Sequence, residues 1–362
     1  MNYRQHNPLP IPVSGATELV TTNMETAFDW EYALSREKLM ALYEKGKTAT
    51  WNATDLDWSI PVDLDKFIAD RADAGAHHVM NDMLNPPHPL SPEQASEMSI
   101  NMNAWMISQF LHGEQGALVA TAKVVMQAPM EEAKFYAANQ VADEARHVEV
   151  YHRYLTEKMG RSFGVNHHLG TLLNEIISDS RWDMTYLGMQ IMVEGLALAA
   201  FSLMKVQMPD EPLIQDITTR IMQDESRHVA FGVISLEDIF TNQLSSSELR
   251  EREDFVIEAT YLMRDRLLME QVYERMGWDV PVWVEWAKTT PFMTGFRQML
   301  FSKIVPNLKR LGLLTPRVRV EYEKLGILHF EHGKDSTEEA APMPPEELIE
   351  IMAQFQGAGQ SA

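Results

Sequence analysis

Two stretches of the chain repeat one pattern of residues whose side chains bind metals. In the first stretch, Glu114 is followed 30 positions later by Glu144, which belongs to residues 143–147 (Asp-Glu-Ala-Arg-His). In the second, Glu194 is followed 31 positions later by the Glu of residues 224–228 (Asp-Glu-Ser-Arg-His). Carboxylates and imidazoles together ligate metals such as iron and manganese. The repeat therefore indicates a metal site built from two similar halves.

The spacing inside each half predicts how the ligands meet. A Glu and a His three positions apart lie on one face of a helix, so Glu144 and His147 can bind the same site, as can Glu225 and His228. About thirty residues let the chain leave one helix, turn and return antiparallel at the same height. The upstream Glu of each half then faces the Glu of the motif that follows it.

The converging charges require cations. Four carboxylates and two imidazoles would meet in the middle of a four-helix bundle, where each unpaired buried charge costs several kcal/mol. Two divalent metals supply four positive charges against the four negative ones. We therefore predict a dinuclear metal centre between four helices.

This pattern resembles the ligand set of the ferritin-like di-iron carboxylate superfamily, in which two helices each give a Glu and two give Glu-x-x-His. The resemblance covers about residues 91–242, and both halves match it. It implies two terminal carboxylates, two bridging carboxylates and one imidazole for each metal. In that order the implied metal ligands are Glu114 and Glu194, Glu144 and Glu225, and His147 and His228.

Two further pairs of residues accompany the ligands in both halves. By the same resemblance, Asp143 and Asp224 accept the imidazole N–H that points away from the metal, and so fix the orientation of each ring. Arg146 and Arg227 would hold these carboxylates. An ordinary surface pair at this spacing is the simpler interpretation, but its recurrence beside both ligand sets favours the role in the site.

The donor atoms suit iron or manganese more than copper, because four of them come from hard carboxylates. The resemblance favours two iron ions, with manganese or a mixed manganese and iron pair as alternatives. The doubled motif is closest to the branch of the superfamily that contains the di-iron oxygenases and the small subunit of ribonucleotide reductase. Among the oxygenases, it resembles bacterial multicomponent hydroxylases and acyl-carrier-protein desaturases.

The oxygenase resemblance implies an oxidoreductase of the mono-oxygenase type. Such an enzyme uses two electrons and O2 to hydroxylate, N-oxygenate or desaturate a small, largely apolar substrate. The chain departs from the multicomponent hydroxylases at one position. They carry Thr four residues after the Glu of the third bundle helix, where this chain has Leu198.

Tyr151 keeps a radical-generating function open. It follows His147 by four residues, which matches the radical tyrosine of the ribonucleotide reductase small subunit. That family, however, usually has Asp as its first ligand where this chain has Glu. The structural interpretation of Tyr151 is a buried core tyrosine with a hydrogen bond. A ferroxidase or metal-binding protein without an organic substrate is the third alternative.

Small residues near both upstream glutamates suggest a cavity. They would either leave room for a substrate or permit close packing of helices, and both interpretations stay open. If a cavity exists, we expect Phe110, Met192 and Leu198 to line it. The small residues are Gly113, Gly116, Ala117 and Ala120 near Glu114, and Gly195, Ala197, Ala199 and Ala200 near Glu194.

The elements that must position these residues are helices. No strand pattern appears anywhere, so we predict an all-α protein with a ferritin-like four-helix bundle and additional N- and C-terminal helices. The clearest helix start is at residues 91–94 (Ser-Pro-Glu-Gln), which combine a Ser cap, Pro at the first position and a returning Gln. The predicted helices cover about residues 35–46, 91–127, 130–159, 168–178, 182–206, 211–240, 246–276 and 293–311.

The helices group into four regions along the chain. Residues 1–90 are expected to form an arm and short helices that pack on the bundle, and residues 91–242 the bundle itself. Residues 243–333 would add helices to the same domain. Residues 334–362 read as an acidic tail.

Composition and charge exclude several partners. A formal net charge of −21 repels phosphate backbones, so we expect no nucleic-acid partner. The chain has no cysteine, which excludes a disulfide and a Cys-ligated iron–sulfur or rubredoxin-type centre. An oxygenase of this composition takes its electrons from a separate electron-donor protein.

The hydropathy pattern predicts a soluble protein. The most apolar stretch, 188–204, is interrupted by Gln190 and Glu194, so we expect no membrane span. The first residues lack the apolar core of a signal peptide, which favours the cytoplasm. The sequence is compatible with a homodimer and does not determine the oligomeric state.

Overall fold

The computed structural model describes residues 17–62 and 85–338, and it builds them from helices and the segments that connect them. No strand occurs in these two ranges, so the predicted all-α class is confirmed. Residues 1–16 and 63–84 of the predicted arm, and residues 339–362 of the predicted tail, lie outside the described residues.

The helices are labelled here in chain order. One of them, α5, is composed of three consecutive helical segments. The helices are α1 (Glu37–Thr48), α2 (Pro92–Gln127), α3 (Glu131–Tyr154), α4 (His167–Ser178), α5 (Trp182–Tyr186, Leu187–Val193 and Glu194–Gln207), α6 (Pro212–Asn242), α7 (Ser246–Asp265), α8 (Glu270–Arg275), α9 (Val280–Thr289), α10 (Pro291–Met299), α11 (Ile304–Arg310) and α12 (Pro316–Lys324).

Helix α2 begins where the sequence predicts. The Ser91 hydroxyl accepts the backbone N–H of Gln94 at 3.2 Å, and the Gln94 side chain accepts the Ser91 N–H at 3.0 Å. Pro92 occupies the first helical position, where a backbone N–H has no partner within the helix, so proline loses no hydrogen bond there. The helix then runs without interruption to Gln127 and carries Glu114 past its middle.

Two π-helical turns lie within or directly after helices that carry the predicted ligands. Leu155–Met159 follows α3 and ends at Gly160, whose φ of 61° suits glycine. Leu187–Val193 lies inside α5 and ends directly before Glu194. A π turn widens the helix locally and is common at functional sites. The regular apolar period of the sequence does not reveal either turn.

Helices α2, α3, α5 and α6 pack around a shared interior. Helix α2 packs along α3 and contacts α5, while α6 contacts both α3 and α5. Helix α1 lies on α3 and α6. The connected apolar core extends from Leu39 to Ile327, so the C-terminal helices share it.

The structure divides two helices that the sequence predicts as continuous. The predicted helix 246–276 stops at Asp265, and a 3₁₀ turn followed by Met269 (φ 57°) leads into α8. The predicted helix 293–311 breaks between Met299 and Ile304. Pro306 explains the second break, because proline is tolerated only in the first turn of a helix. Both predictions of a single helix were wrong, and α9 and α12 were not predicted.

One described helix, Trp182–Lys205, is long and apolar enough to cross a membrane by length and composition. However, 94% of its most apolar stretch is buried inside the protein. Such burial is typical of the core helix of a soluble protein.

Candidate metal centre

Six buried side chains meet between α2, α3, α5 and α6. None of them is more than 5% exposed. They are the six residues that the sequence predicts as metal ligands: Glu114 on α2, Glu144 and His147 on α3, Glu194 on α5, and Glu225 and His228 on α6.

The ligand atoms of these residues form two overlapping groups. Within each group the atoms lie within 4.8 Å of one another, and Glu144 belongs to both groups. This spacing is close enough for a metal ion to be held. The groups are Glu114, Glu144, His147 and Glu225, and Glu144, Glu194 and His228.

Two carboxylates each face both imidazoles. Glu144 Oε2 lies 3.4 Å from Nδ1 of His147, and its Oε1 lies 3.1 Å from Nδ1 of His228. Glu225 Oε1 lies 3.2 Å from Nδ1 of His147 and 3.6 Å from Nδ1 of His228. These are the two residues to which the family resemblance gives a bridging role, and their positions between the rings fit it.

The other nitrogen of each imidazole faces an aspartate from the opposite half of the repeat. His147 Nε2 lies 3.1 Å from Asp224 Oδ2, and His228 Nε2 lies 3.3 Å from Asp143 Oδ2. A carboxylate at this position accepts the Nε2 proton and leaves the Nδ1 lone pair directed at the cluster. The Asp–His contacts predicted from the sequence are present, but they cross between the halves.

The two aspartates are themselves held in place. Arg146 donates a hydrogen bond to Asp143, and Arg227 donates one to Asp224, each across one turn of its own helix. Trp51 Nε1 also donates to Asp224 Oδ2, at 2.7 Å. Trp51 was not among the predicted site residues, because nothing in its sequence distance from the motifs places it there.

Gln140 is another residue of the site that was not predicted. Its Nε2 donates to Glu144 Oε1 at 2.8 Å and to Glu194 Oε1 at 3.0 Å, and so connects carboxylates of α3 and α5. The sequence did contain a signal. Gln140 precedes Glu144 by four residues and therefore shares its helix face.

Several ligand atoms of the cluster have no hydrogen-bond partner among the described residues. A buried polar atom left without a partner costs about 1–3 kcal/mol, and such atoms are rare in folded proteins. A cation at the centre of the cluster would satisfy them, so the donor set fits a metal. The atoms are Glu144 Oε2, Glu194 Oε2, both carboxylate oxygens of Glu225, and His228 Nδ1.

Electrostatics also favour a cation here. Burial and then the neighbouring Glu225 carboxylate raise the pKa of Glu114 well above its ordinary value, and the same two causes raise the pKa of Glu194. Burial alone would lower the pKa of His147 and His228, but the facing carboxylates raise both well above the ordinary histidine value. The cluster therefore binds positive charge, either as protons or as metal.

Tyr151 is fully buried beside the cluster, and its hydroxyl has no hydrogen-bond partner among the described residues. Its ring lies 5.8 Å from that of Phe110 and 6.2 Å from that of Phe201, centroid to centroid. Burial, and then the charge of Glu114, raise the pKa of Tyr151 well above its usual range. Because its hydroxyl has no partner among the described residues, Tyr151 lacks the hydrogen bond that we expect of a structural tyrosine there.

A small pocket, with about 310 Å³ between its lining atoms if the part open to solvent is included, lies against the cluster. Three of the predicted ligands, Glu114, Glu194 and Glu225, form part of its wall, and Arg266 is a further lining residue that was not predicted. Of the predicted lining residues Phe110 is present. Met192 and Leu198 are buried but do not line this pocket.

The small residues near the glutamates serve both purposes that the sequence left open. Gly113, Ala117 and Ala197 line the pocket, and a Cβ atom at Gly113 would meet nothing within 4 Å. A Cβ at Gly116 would lie 2.5 Å from Leu173 Cδ2, and one at Gly195 would lie 3.1 Å from Ile304 Cγ1. The first group therefore makes space, while the second permits close packing.

The chain matches no protein-family model. A comparison with curated proteins likewise finds no match. The likeness to di-iron proteins therefore rests on the ligand motif and on the buried Glu and His cluster of an all-helical protein.

Proposed function

We propose that the protein is a non-haem, O2-activating di-iron oxygenase of the ferritin-like superfamily. The observation that carries the proposal is the doubled ligand set. Glu144 and Glu225 each face both imidazole Nδ1 atoms, while an aspartate accepts at each Nε2. Glu114 and Glu194 would act as the terminal ligands. Two iron ions fit the four carboxylates in charge, with manganese or a mixed pair as alternatives.

When bound, the metals would supply the reduction and activation of O2. The chain's own residues prepare the site for them. Asp143 and Asp224 hold the imidazole protons at Nε2, so that both Nδ1 atoms are free to bind metal. Gln140 fixes the relative positions of Glu144 and Glu194.

The pocket supports a small, largely apolar substrate. Its walls include Phe110, Val193 and Phe201, which give it an apolar surface beside Glu114 and Glu194. Hydroxylation, N-oxygenation or desaturation would follow from a substrate held there. The absence of cysteine supports a separate protein as electron donor, and we propose a soluble, cytoplasmic enzyme.

Anaerobic loading with Fe(II) tests this function directly. We expect about two irons per chain, and O2 uptake once the loaded protein is chemically reduced. A fully folded protein that retains no metal would overturn the proposal. Accumulation of many irons per chain without an organic product would instead indicate a ferroxidase.

A radical-generating subunit is the second candidate, favoured by the unpartnered hydroxyl of Tyr151. It predicts a stable tyrosyl EPR signal after oxygenation that is lost in Tyr151→Phe. An oxygenase predicts that Tyr151→Phe still consumes O2 and shows no such signal before or after the substitution.

A further inference from the structure

A buried cation that lacks an ion-pair partner among the described residues lines the pocket beside the cluster. Arg266 lies in the 3₁₀ turn Arg266–Leu268, directly after α7, and lines the pocket together with Glu114, Glu194 and Glu225. Only 5% of Arg266 is exposed, and its Nε and Nη1 atoms are buried without a hydrogen-bond partner among the described residues.

The two other arginines of the described chain that are as deeply buried each have hydrogen-bond partners. Arg252 donates to Asp183 at 2.9 and 2.7 Å, and Arg297 donates to the backbone carbonyls of Met293 and Lys288. For Arg266, burial lowers the pKa to about 10, with no opposing effect from a carboxylate. The side chain is still charged at neutral pH. Burying it without a counter-ion therefore costs free energy.

Charge balance gives the sign of the missing partner. In the proposed centre, two divalent metals neutralise the four ligand carboxylates. Asp143 and Asp224 are already paired with Arg146 and Arg227. One positive charge, that of Arg266, therefore remains, and a single negative charge in the pocket would neutralise it.

We propose that this pocket binds a small molecule with one carboxylate, which pairs with Arg266 while its apolar part lies against Phe110 and Phe201. The inference rests on the proposed function for its charge balance, and it names the substrate class of that site. A guanidinium matches a carboxylate with two parallel hydrogen bonds. Apart from the three predicted ligands, the other walls around this cation are mainly apolar, and they suit a singly charged, planar anion once metals neutralise the ligands.

The pocket is narrow, which determines the first probes. About 310 Å³ around the lining side chains is free of protein atoms, but part of this space is open to solvent and its enclosed part is much smaller, so the smallest acids are the suitable ligands to start with. Acetate and propionate are therefore the probes, and acetamide and propionamide are their uncharged counterparts of nearly the same shape. All titrations use full-length, metal-loaded protein at constant ionic strength, so that general screening does not differ between acid and amide.

The acids should bind at least about tenfold more tightly than the amides, because a hydrogen bond to a charged group contributes more than a neutral one. Isothermal titration and the ligand-induced shift in Tm measure this without any turnover. Equal binding of acid and amide by the unmodified protein would overturn the inference, whatever any variant does.

Two substitutions then locate the charge. Arg266→Gln should remove the preference for acids, whereas Arg266→Lys, which keeps the charge, should retain part of it. Arg264→Gln is the matched control, since Arg264 is paired with Asp265 and lies outside the pocket. Unchanged preference in Arg266→Gln would overturn the assignment.

The free protein gives an independent readout. If Arg266 has no partner until a ligand binds, removing its charge should not destabilise the free protein. The Tm of metal-loaded Arg266→Gln without added acid should then be at least as high as that of the unmodified metal-loaded protein. A Tm lowered as much as by loss of a paired buried arginine, with Arg252→Gln as the reference, would mean a structural role and overturn the inference.

These outcomes are separable from the proposed oxygenase function. Two irons per chain and O2 uptake together with equal binding of acids and amides would overturn the carboxylate site alone. Preference for acids that depends on Arg266, in a protein that consumes no O2, would support the site and overturn the oxygenase proposal.

Discussion

Each imidazole of the cluster is oriented by an aspartate from the other half of the repeat. Because Asp224 accepts at His147 Nε2 and Asp143 at His228 Nε2, both rings present Nδ1 to the centre. Such outer hydrogen bonds fix the tautomer and raise the basicity of the ligand. The chemistry of the site therefore depends on residues that would not touch a metal.

Glu144 is the residue whose loss should affect both of the proposed metal positions. Its two oxygens face different imidazoles, so Glu144→Ala removes a ligand from each group. We expect the loss of one or both metals, measured as metal per chain after equilibration and desalting. Glu149→Ala, on the exposed face of the same helix, is the control, and unchanged stoichiometry in Glu144→Ala would contradict the bridging assignment.

Trp51 should influence metal binding without being a ligand. Trp51→Phe removes the indole N–H that donates to Asp224 and leaves that carboxylate less well positioned for His147. We expect metal affinity to fall by about tenfold, the lower end for such outer contacts, in a competition with a chelator. Trp58→Phe loses a similar bond, to the Ala53 carbonyl, away from the cluster. Equal losses in both variants would count against a specific role.

At the scale of elements, the π turn of α5 packs tightly against Gly232 of α6. A Cβ atom on Gly232 of α6 would lie 2.6 Å from Gln190 Cβ and 3.2 Å from Ile191 Cδ1, both within the turn. The turn ends directly before Glu194. The contact between the two helices therefore sets the position of a predicted ligand.

Gly232→Ala should separate these helices. We expect the free energy of unfolding to fall by about 1–3 kcal/mol, the usual cost of overpacking a core, measured by urea denaturation. Gly113→Ala is the contrasting variant, because its Cβ meets nothing within 4 Å. A helix-interior glycine replaced by alanine without a clash should gain up to about 1 kcal/mol, so a similar loss in both would refute the packing explanation.

The sequence contained the local signals but not the changes of chain direction. The Ser91 cap and the motif spacing predicted α2 and the ligand faces correctly, because caps and helix periods are local. The break at Met269 was not predicted, since a methionine in the left-handed backbone conformation has no sequence signature. Trp51 and Arg266 reach the site only through tertiary packing, which single-chain spacing does not encode.

At the scale of the whole molecule, stability and metal occupancy are coupled through protons. Without metal, Glu114 and Glu194 have pKa values raised by burial and by like charge, and the two histidines have raised pKa values as well. A raised pKa means that the folded state binds more protons than the unfolded state. Stability from these groups is complete below their unfolded pKa values and decreases as the pH rises.

The metal-free protein should therefore become less stable between pH 5 and pH 8. Each extra proton bound by the folded state changes the free energy of unfolding by at most about 1.4 kcal/mol per pH unit. Asp224, whose pKa is lowered to about 2, contributes only at more acidic pH. Metal replaces these protons, so the Tm of the loaded protein should not fall over this range. Parallel Tm profiles with and without metal would contradict this account.

The crossed aspartate contacts give the centre an approximate twofold symmetry. Exchanging the halves maps the Asp224–His147 contact onto Asp143–His228, and the Arg227–Asp224 pair onto Arg146–Asp143. Trp51 breaks this symmetry, because its indole donates to Asp224 Oδ2 at 2.7 Å, whereas Asp143 Oδ2 accepts, besides the contact with its imidazole, only the longer bond of 3.4 Å from Asn139. The two proposed metal positions are consequently inequivalent, and we expect a titration with metal to fill them in two distinguishable steps, with the position at His147 filled first.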